Sequence, residues 1–236
     1  MRELPVDLPS ELVPLSWLLG VWEGTGVLEY TIGDETVSRI FGQRVSFSHD
    51  GLPHLNYSSY TWLEPEPEPE PLPAAGAGSN DGDNAAPVSV DAAPPVADAV
   101  GHDDERTPLA TETGYWRLSR AHQDGDPGPG LLPRRGEAPF TSAAAVENLR
   151  NATGGFDIDV TLVHPGGVAE LYLGRVNGPR IDLATDAVLR TEGSKPYAAA
   201  TRLYGLVDNH LLWAWDIAAL GQGLRTHASG RLAHVD

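Results

Sequence analysis

The sequence predicts an all-β fold: an up-and-down antiparallel barrel of about ten strands with a short N-terminal capping helix and two long insertions. Three observations predict it. Gly20-Val21-Trp22-Glu23-Gly24-Thr25-Gly26 forms a G-x-W-x-G-x-G motif at the entry to a strand. Short apolar runs of strand length follow it along the chain. Between those runs lie turn residues that tolerate positive φ, as hairpins require.

Taken in order, Leu12, Leu15, Leu18 and Leu19 recur at helical spacing after Ser10 and Glu11, which predicts a short helical turn capping one barrel end. Trp22 is large and flat enough to plug that end, while Gly20, Gly24 and Gly26 let the chain bend and approach its neighbours closely. Strands are predicted at 22–30, 38–48, 54–62, 110–118, 156–163, 168–174, 180–190, 198–207, 210–218 and 224–234. Asp50-Gly51, Pro165-Gly166-Gly167, Asn177-Gly178 and Asp208-Asn209 supply hairpin turns between them.

Two segments interrupt this meander. Residues 64–106 hold eleven acidic side chains and one basic one, a net of −10 within a chain total of −17. With its Glu-Pro repeats and few large apolar residues, this segment buries too little surface to offset ordering entropy and is expected to be disordered. The second insertion, 122–153, opens on Asp124-Gly125-Asp126-Pro127-Gly128-Pro129-Gly130, and its Phe140 and Ala143 to Leu149 run suit a short docked element. Without the two insertions about 160 residues remain, so residues 1–236 read as a single barrel domain.

Composition narrows the function. Sixteen scattered Lys and Arg against 33 Asp and Glu disfavour nucleic acid and anionic membrane surfaces. No apolar run reaches the length of a membrane span, and MRELPVDLPSEL has no signal-peptide core, which makes the cytoplasm the expected location. There is no cysteine, which excludes disulfides, thiolate metal sites and covalently attached haem. Nor is there a convincing Ser-His-Asp set, P-loop or dinucleotide motif.

Several blocks together resemble the nitrobindin family of haem-binding ten-stranded barrels. They are Leu15-Ser16-Trp17-Leu18-Leu19-Gly20 running into the Trp22 motif, Glu112 to Arg117, His164 to Tyr172, Thr201 to Leu206, Leu212 to Asp216 and His227 to Leu232. The resemblance spans nearly all of the chain outside the insertions and points to the actinobacterial branch. It implies a peroxynitrite isomerase with one non-covalent haem b per subunit, peroxynitrite and nitric oxide as small-molecule partners, and a homodimer. It also implies that His227, in the last strand, is the proximal ligand to the haem iron and hence the catalytic and metal-binding residue. Lys195, in the loop before the Thr-Arg-Leu-Tyr strand, is the second haem contact it implies. The chain departs from the family pattern in its two insertions and at Ala228 and Gly230, where bulkier residues are usual.

The residues themselves leave alternatives open. A lone strand histidine is ordinarily just exposed, and strict alternation puts His227 on the polar face of Arg225, Ser229 and Arg231. A bulge near Gly230, or an opening at the rim, reconciles that pattern with a haem wall. His234 falls in a terminal tail expected to fray, His164 beside a hairpin turn, and Trp213 and Trp215 in a core stripe with Leu211 and Ile217. Lys195 in Glu192-Gly193-Ser194-Lys195-Pro196 reads as solvated loop charge unless a propionate lies near. If the distal side lacks a hydrogen-bond donor, dioxygen is poorly stabilised there and the ferric state is favoured; sequence does not pick out the distal residues. The other readings are a non-catalytic haem or nitric oxide carrier or sensor, and a small apolar-ligand carrier without iron.

Overall fold

A computed structural model describes residues 7–32, 35–65, 106–219 and 224–235. The barrel unit is formed by Met1–Glu64 and Thr107–Asp236, and Pro65–Arg106 is a separate unit. The expected disorder of 64–106 therefore concerns a segment lying, but for its ends, outside the described residues.

Ten antiparallel strands close into one barrel in the order β1-β10-β9-β8-β7-β6-β5-β4-β3-β2. They are β1 (Gly20–Ile32), β2 (Glu35–Ser48), β3 (Leu55–Leu63), β4 (Thr107–Leu118), β5 (Phe156–His164), β6 (Val168–Asn177), β7 (Arg180–Arg190), β8 (Tyr197–Val207), β9 (His210–Ala219) and β10 (Arg225–Val235). Every predicted strand is present, with ends displaced by a few residues. The turns use the expected chemistry: Gly51, Gly167 and Gly178 have positive φ, and Asp208 and Asn209 both adopt φ near +50 to +60°.

The antiparallel order defines two ends. At the closed end lie Gly20, Ser48, Leu55, Leu118, Phe156 and Val235; at the mouth lie Leu63, Thr107, His164, Tyr197 and Arg225. A 3-10 helix, Ser10–Leu18, covers the closed end. Its buried residues Leu12, Leu15 and Leu18 repeat every three positions, the 3-10 period rather than the α period, and Pro14 inside it has no N–H to donate. Trp22 is buried beneath it and donates its indole N–H to the Leu18 carbonyl at 2.7 Å, which fixes the plug. A Cβ on Gly24 would lie 2.3 Å from the Arg231 carbonyl oxygen, so glycine is what lets β1 and β10 close.

The second insertion packs on the same end. Ser142 caps a short helix α1 (Ala143–Val146) by accepting from the Ala145 N–H, and Val146 is buried. Arg120 ties the connection to the 3-10 helix, donating to Glu11 at 2.5 Å and to both Asp126 oxygens at 2.6 and 2.7 Å. His234 corrects the expectation of a frayed tail. It pairs with Trp22 in the β1–β10 ladder and packs edge-on against its ring, because the last strand completes the barrel closure.

Candidate functional site

The barrel interior carries a polar cluster. Gln43 on β2, Glu112 on β4, Glu170 on β6 and Arg202 on β8 all fall in phase with core residues. Arg202 donates to both Glu112 oxygens at 2.7 and 2.9 Å and to the Tyr172 hydroxyl at 3.0 Å. Tyr57 donates to Glu112 at 2.5 Å, and Tyr172 and Tyr197 each donate to Glu170 at 2.5 Å. His164, at the mouth end of β5, donates from Nε2 to Glu170 at 2.7 Å, with Nδ1 3.7 Å from Glu112. Burial pushes the Glu112 carboxyl up, but the Arg202 charge and hydrogen bonds outweigh it and hold the group down to about 2. Burial likewise opposes the Glu170 charge, and the His164 hydrogen bond and Arg202 lower its pKa overall. This cluster is internally satisfied, a rigid polar floor rather than a free acid or base.

Against it is a cavity of about 280 Å³ whose apolar lining includes Leu28, Phe41, Val45, Trp213, Trp215 and Ala228, and whose polar lining includes Gln43, Ser59 and His227 together with Glu112, His164 and Arg202 of the cluster. His227 reaches this wall through a bulge. The β9–β10 register steps from Thr226 opposite Asp216 to Ala228 opposite Trp215, leaving His227 as the extra residue. The bulge thus lies at His227 itself and not near Gly230, and it releases the imidazole from the alternation that would have set it among Arg225, Ser229 and Arg231. The ring is half-buried, stands edge-on to Trp215 at 5.6 Å between centroids, and donates from Nδ1 to the Glu29 carbonyl at 3.1 Å. Because a carbonyl only accepts, Nδ1 carries the proton and Nε2 keeps its lone pair. Burial lowers the His227 pKa, partly offset by the Glu29 hydrogen bond, which favours the neutral ligand form.

Lys195 is exposed in the loop between β7 and β8, at the mouth, and is not among the cavity-lining residues; its carbonyl accepts from Arg190. Trp22, Gly20, Gly24 and Gly26 belong to the closed end and to the β1–β10 seam, so the motif builds the barrel rather than the cavity. Trp213 and Trp215 do both: they pack on the core and line the cavity, and the Arg202 guanidinium lies 4.4 Å above the Trp215 ring. Among the described residues no group of three or more His, Asp or Glu is arranged to hold a bare metal ion. A single imidazole in an apolar wall is the donor set that suits an iron already held by a porphyrin.

Residues 11–234 match the THAP4-like, heme-binding beta-barrel domain. The chain belongs to this haem-binding barrel family. Relatives named peroxynitrite isomerase are 61% identical in Clavibacter michiganensis and 59% in Leifsonia xyli, each over the whole of both chains. Another in Kocuria rhizophila is 46% identical over 99% of this chain and 95% of its own. The crystal structure of Rv2717c from M. tuberculosis superposes with a TM-score of 0.56 at 23% identity, covering 99% of this chain and all of that one, which bears on the fold alone.

The resemblance singled out His227, but the sequence pattern was not read for the polar floor or for Gln43. The signal for them is phase. Arg202 falls between inward Ala200 and Tyr204, Glu170 shares a face with Tyr172, Glu112 with Trp116, and Gln43 with Phe41 and Val45. A polar residue in register with a core stripe is a buried polar residue.

Proposed function

We propose that this protein is a haem-dependent peroxynitrite isomerase, converting peroxynitrite to nitrate, with one non-covalent haem b per subunit and His227 as the proximal ligand. The observation that carries this reading is the bulged His227, its Nδ1 proton committed to Glu29 and its Nε2 lone pair free at the wall of an apolar cavity. The naming of full-length relatives as peroxynitrite isomerases supports the same reading.

When bound, ferric haem supplies a Lewis-acidic iron for the O–O rearrangement. The chain's own residues do the rest. His227 would hold the group, the Glu29 carbonyl fixes the ring orientation, and Leu28, Phe41, Val45 and Trp213 would exclude water. Glu112, Glu170 and Arg202, spent on one another, stay out of the chemistry and keep the floor rigid. Lys195, exposed at the mouth, would pair with a propionate, an exposed contact worth up to about 1 kcal/mol. A cytoplasmic location and a homodimer complete the reading. Among the described residues no helix is long and apolar enough to cross a membrane. Exposed Val27, Ile40, Leu203 and Val207 rim an apolar groove on the outer face that a second copy would cover.

Titration with ferric haem tests the site. The wild type is expected to give a stoichiometric Soret band that shifts or disappears in His227→Ala, and no band in the wild type leaves an iron-free carrier. Rapid mixing with peroxynitrite then separates enzyme from haem carrier, since a carrier does not accelerate nitrate formation beyond free haem.

A further inference from the structure

One side chain in the cavity has hydrogen-bonding capacity that the fold does not use. Gln43, on β2, is 5% exposed, and its Nε2 donates to the Ser59 Oγ at 2.9 Å, yet its buried Oε1 meets no partner. An unmet buried amide atom is costly, so a position that keeps one is a candidate for ligand contact. Ser59 is 6% exposed and lines the same cavity.

The pair is reversible. A serine hydroxyl donates as readily as it accepts, so turning the Gln43 amide over keeps the Ser59 hydrogen bond and exchanges which amide group is free. The free group becomes an N–H whenever the occupant offers only acceptors. The charged groups beside it are committed. The Tyr57 hydroxyl and the Arg202 guanidinium go to Glu112, and His164 Nε2 goes to Glu170. The other fully buried polar atoms without a partner among the lining residues, Nε1 of Trp213 and of Trp215, are donors only. Unspent donors suit an occupant built of acceptors.

We propose that Gln43, braced by Ser59, donates its amide N–H to an oxygen of a small anion in this cavity and so orients the substrate. This rests on the haem reading above and deepens it, because peroxynitrite and nitrate carry several acceptor oxygens. Gln43 is then the substrate-orienting residue, and Ser59 a positioning residue that acts through it. The cavity discriminates in favour of anions over neutral diatomics, which gain little from a hydrogen bond at that point.

The test compares azide, a small anion, with carbon monoxide, a neutral ligand, on the haem-loaded protein, each affinity read from the Soret shift. Gln43→Leu keeps the size of the side chain and removes the amide. Azide affinity is expected to fall about tenfold, the factor a hydrogen bond to a charged group supplies, with carbon monoxide affinity unchanged. Gln43→Glu is expected to weaken azide further through like-charge repulsion, and Ser59→Ala to weaken it less than Gln43→Leu does. Unchanged azide affinity in Gln43→Leu overturns the proposal. A parallel fall for azide and carbon monoxide also overturns it, since that is the signature of a damaged cavity. Absence of a Soret band in the wild type, visible before any azide is added, means that the haem reading itself has failed and the proposal with it.

Discussion

At the closed end, Leu12, Leu15 and Leu18 pack with Trp22, Phe47 and Trp116 into an apolar plug, and a buried ionic group, Arg120 with Glu11 and Asp126, sits at its edge. Toward the mouth, the same barrel buries Arg202 with two carboxylates and four tyrosines, then bulges a strand to bring His227 to a cavity. The first region stabilises by apolar burial, which tolerates no vacancy. The second spends polar groups on each other, which holds a shape but gives little net stability. The difference teaches that this barrel separates holding itself together from holding a ligand, and perturbations should divide in the same way.

Arg202→Met attacks the polar floor and carries the largest expected cost. It leaves Glu112 and Glu170 facing one another, a loss of about 3–5 kcal/mol in urea unfolding, because an unpaired buried charge is worse than none. Adding Glu112→Gln should recover part of that loss. Trp22→Ala, in the plug, is expected to cost about 3–5 kcal/mol by cavity formation. If the division holds, protein of this variant that remains folded takes up haem with wild-type affinity, and a large drop in that affinity would break the comparison.

Acid sharpens it next. Glu112 is held at about 2 against an ordinary 4.5, and Asp126 at about 2 against 3.8, in the latter case chiefly by the Arg120 hydrogen bonds. A depressed carboxylate contributes stability that is complete above its unfolded value and lost as pH falls toward the folded one. The urea midpoint should therefore decline between about pH 4.5 and 2. Asp126→Asn removes the Asp126 share of that slope, and Glu112 and Glu170 carry the share of the floor. The smallest effect is Lys195→Ala, which leaves unfolding unchanged and weakens haem retention by no more than about fivefold, the range of an exposed ion pair.

The legibility of the sequence follows the same division. The strands and turns were readable because alternation and glycine at positive φ are local properties; Gly167 and Gly178 mark turns whatever surrounds them. The helical turn was readable as an element but not as a 3-10 helix, since Leu12, Leu15 and Leu18 fit both periods until burial chose between them. His227 carried no local signal, and only the resemblance singled it out. Arg202 and Gln43 carried one, their phase with core residues, but its meaning depends on partners that lie far along the chain: Glu112 is 90 residues from Arg202, and Ser59 is 16 from Gln43.

By itself, then, the sequence determined the number and order of the strands, the plug at Trp22 and the turn chemistry, because each depends on neighbouring residues and the hydrophobic period. Only the tertiary structure decided that His227 leaves the polar face, that His234 is locked against Trp22, and that the in-phase residues Glu112, Glu170 and Arg202 meet across the barrel. A bulge and a cross-barrel hydrogen bond are set by how strands register against one another, and that register is fixed only when the barrel closes.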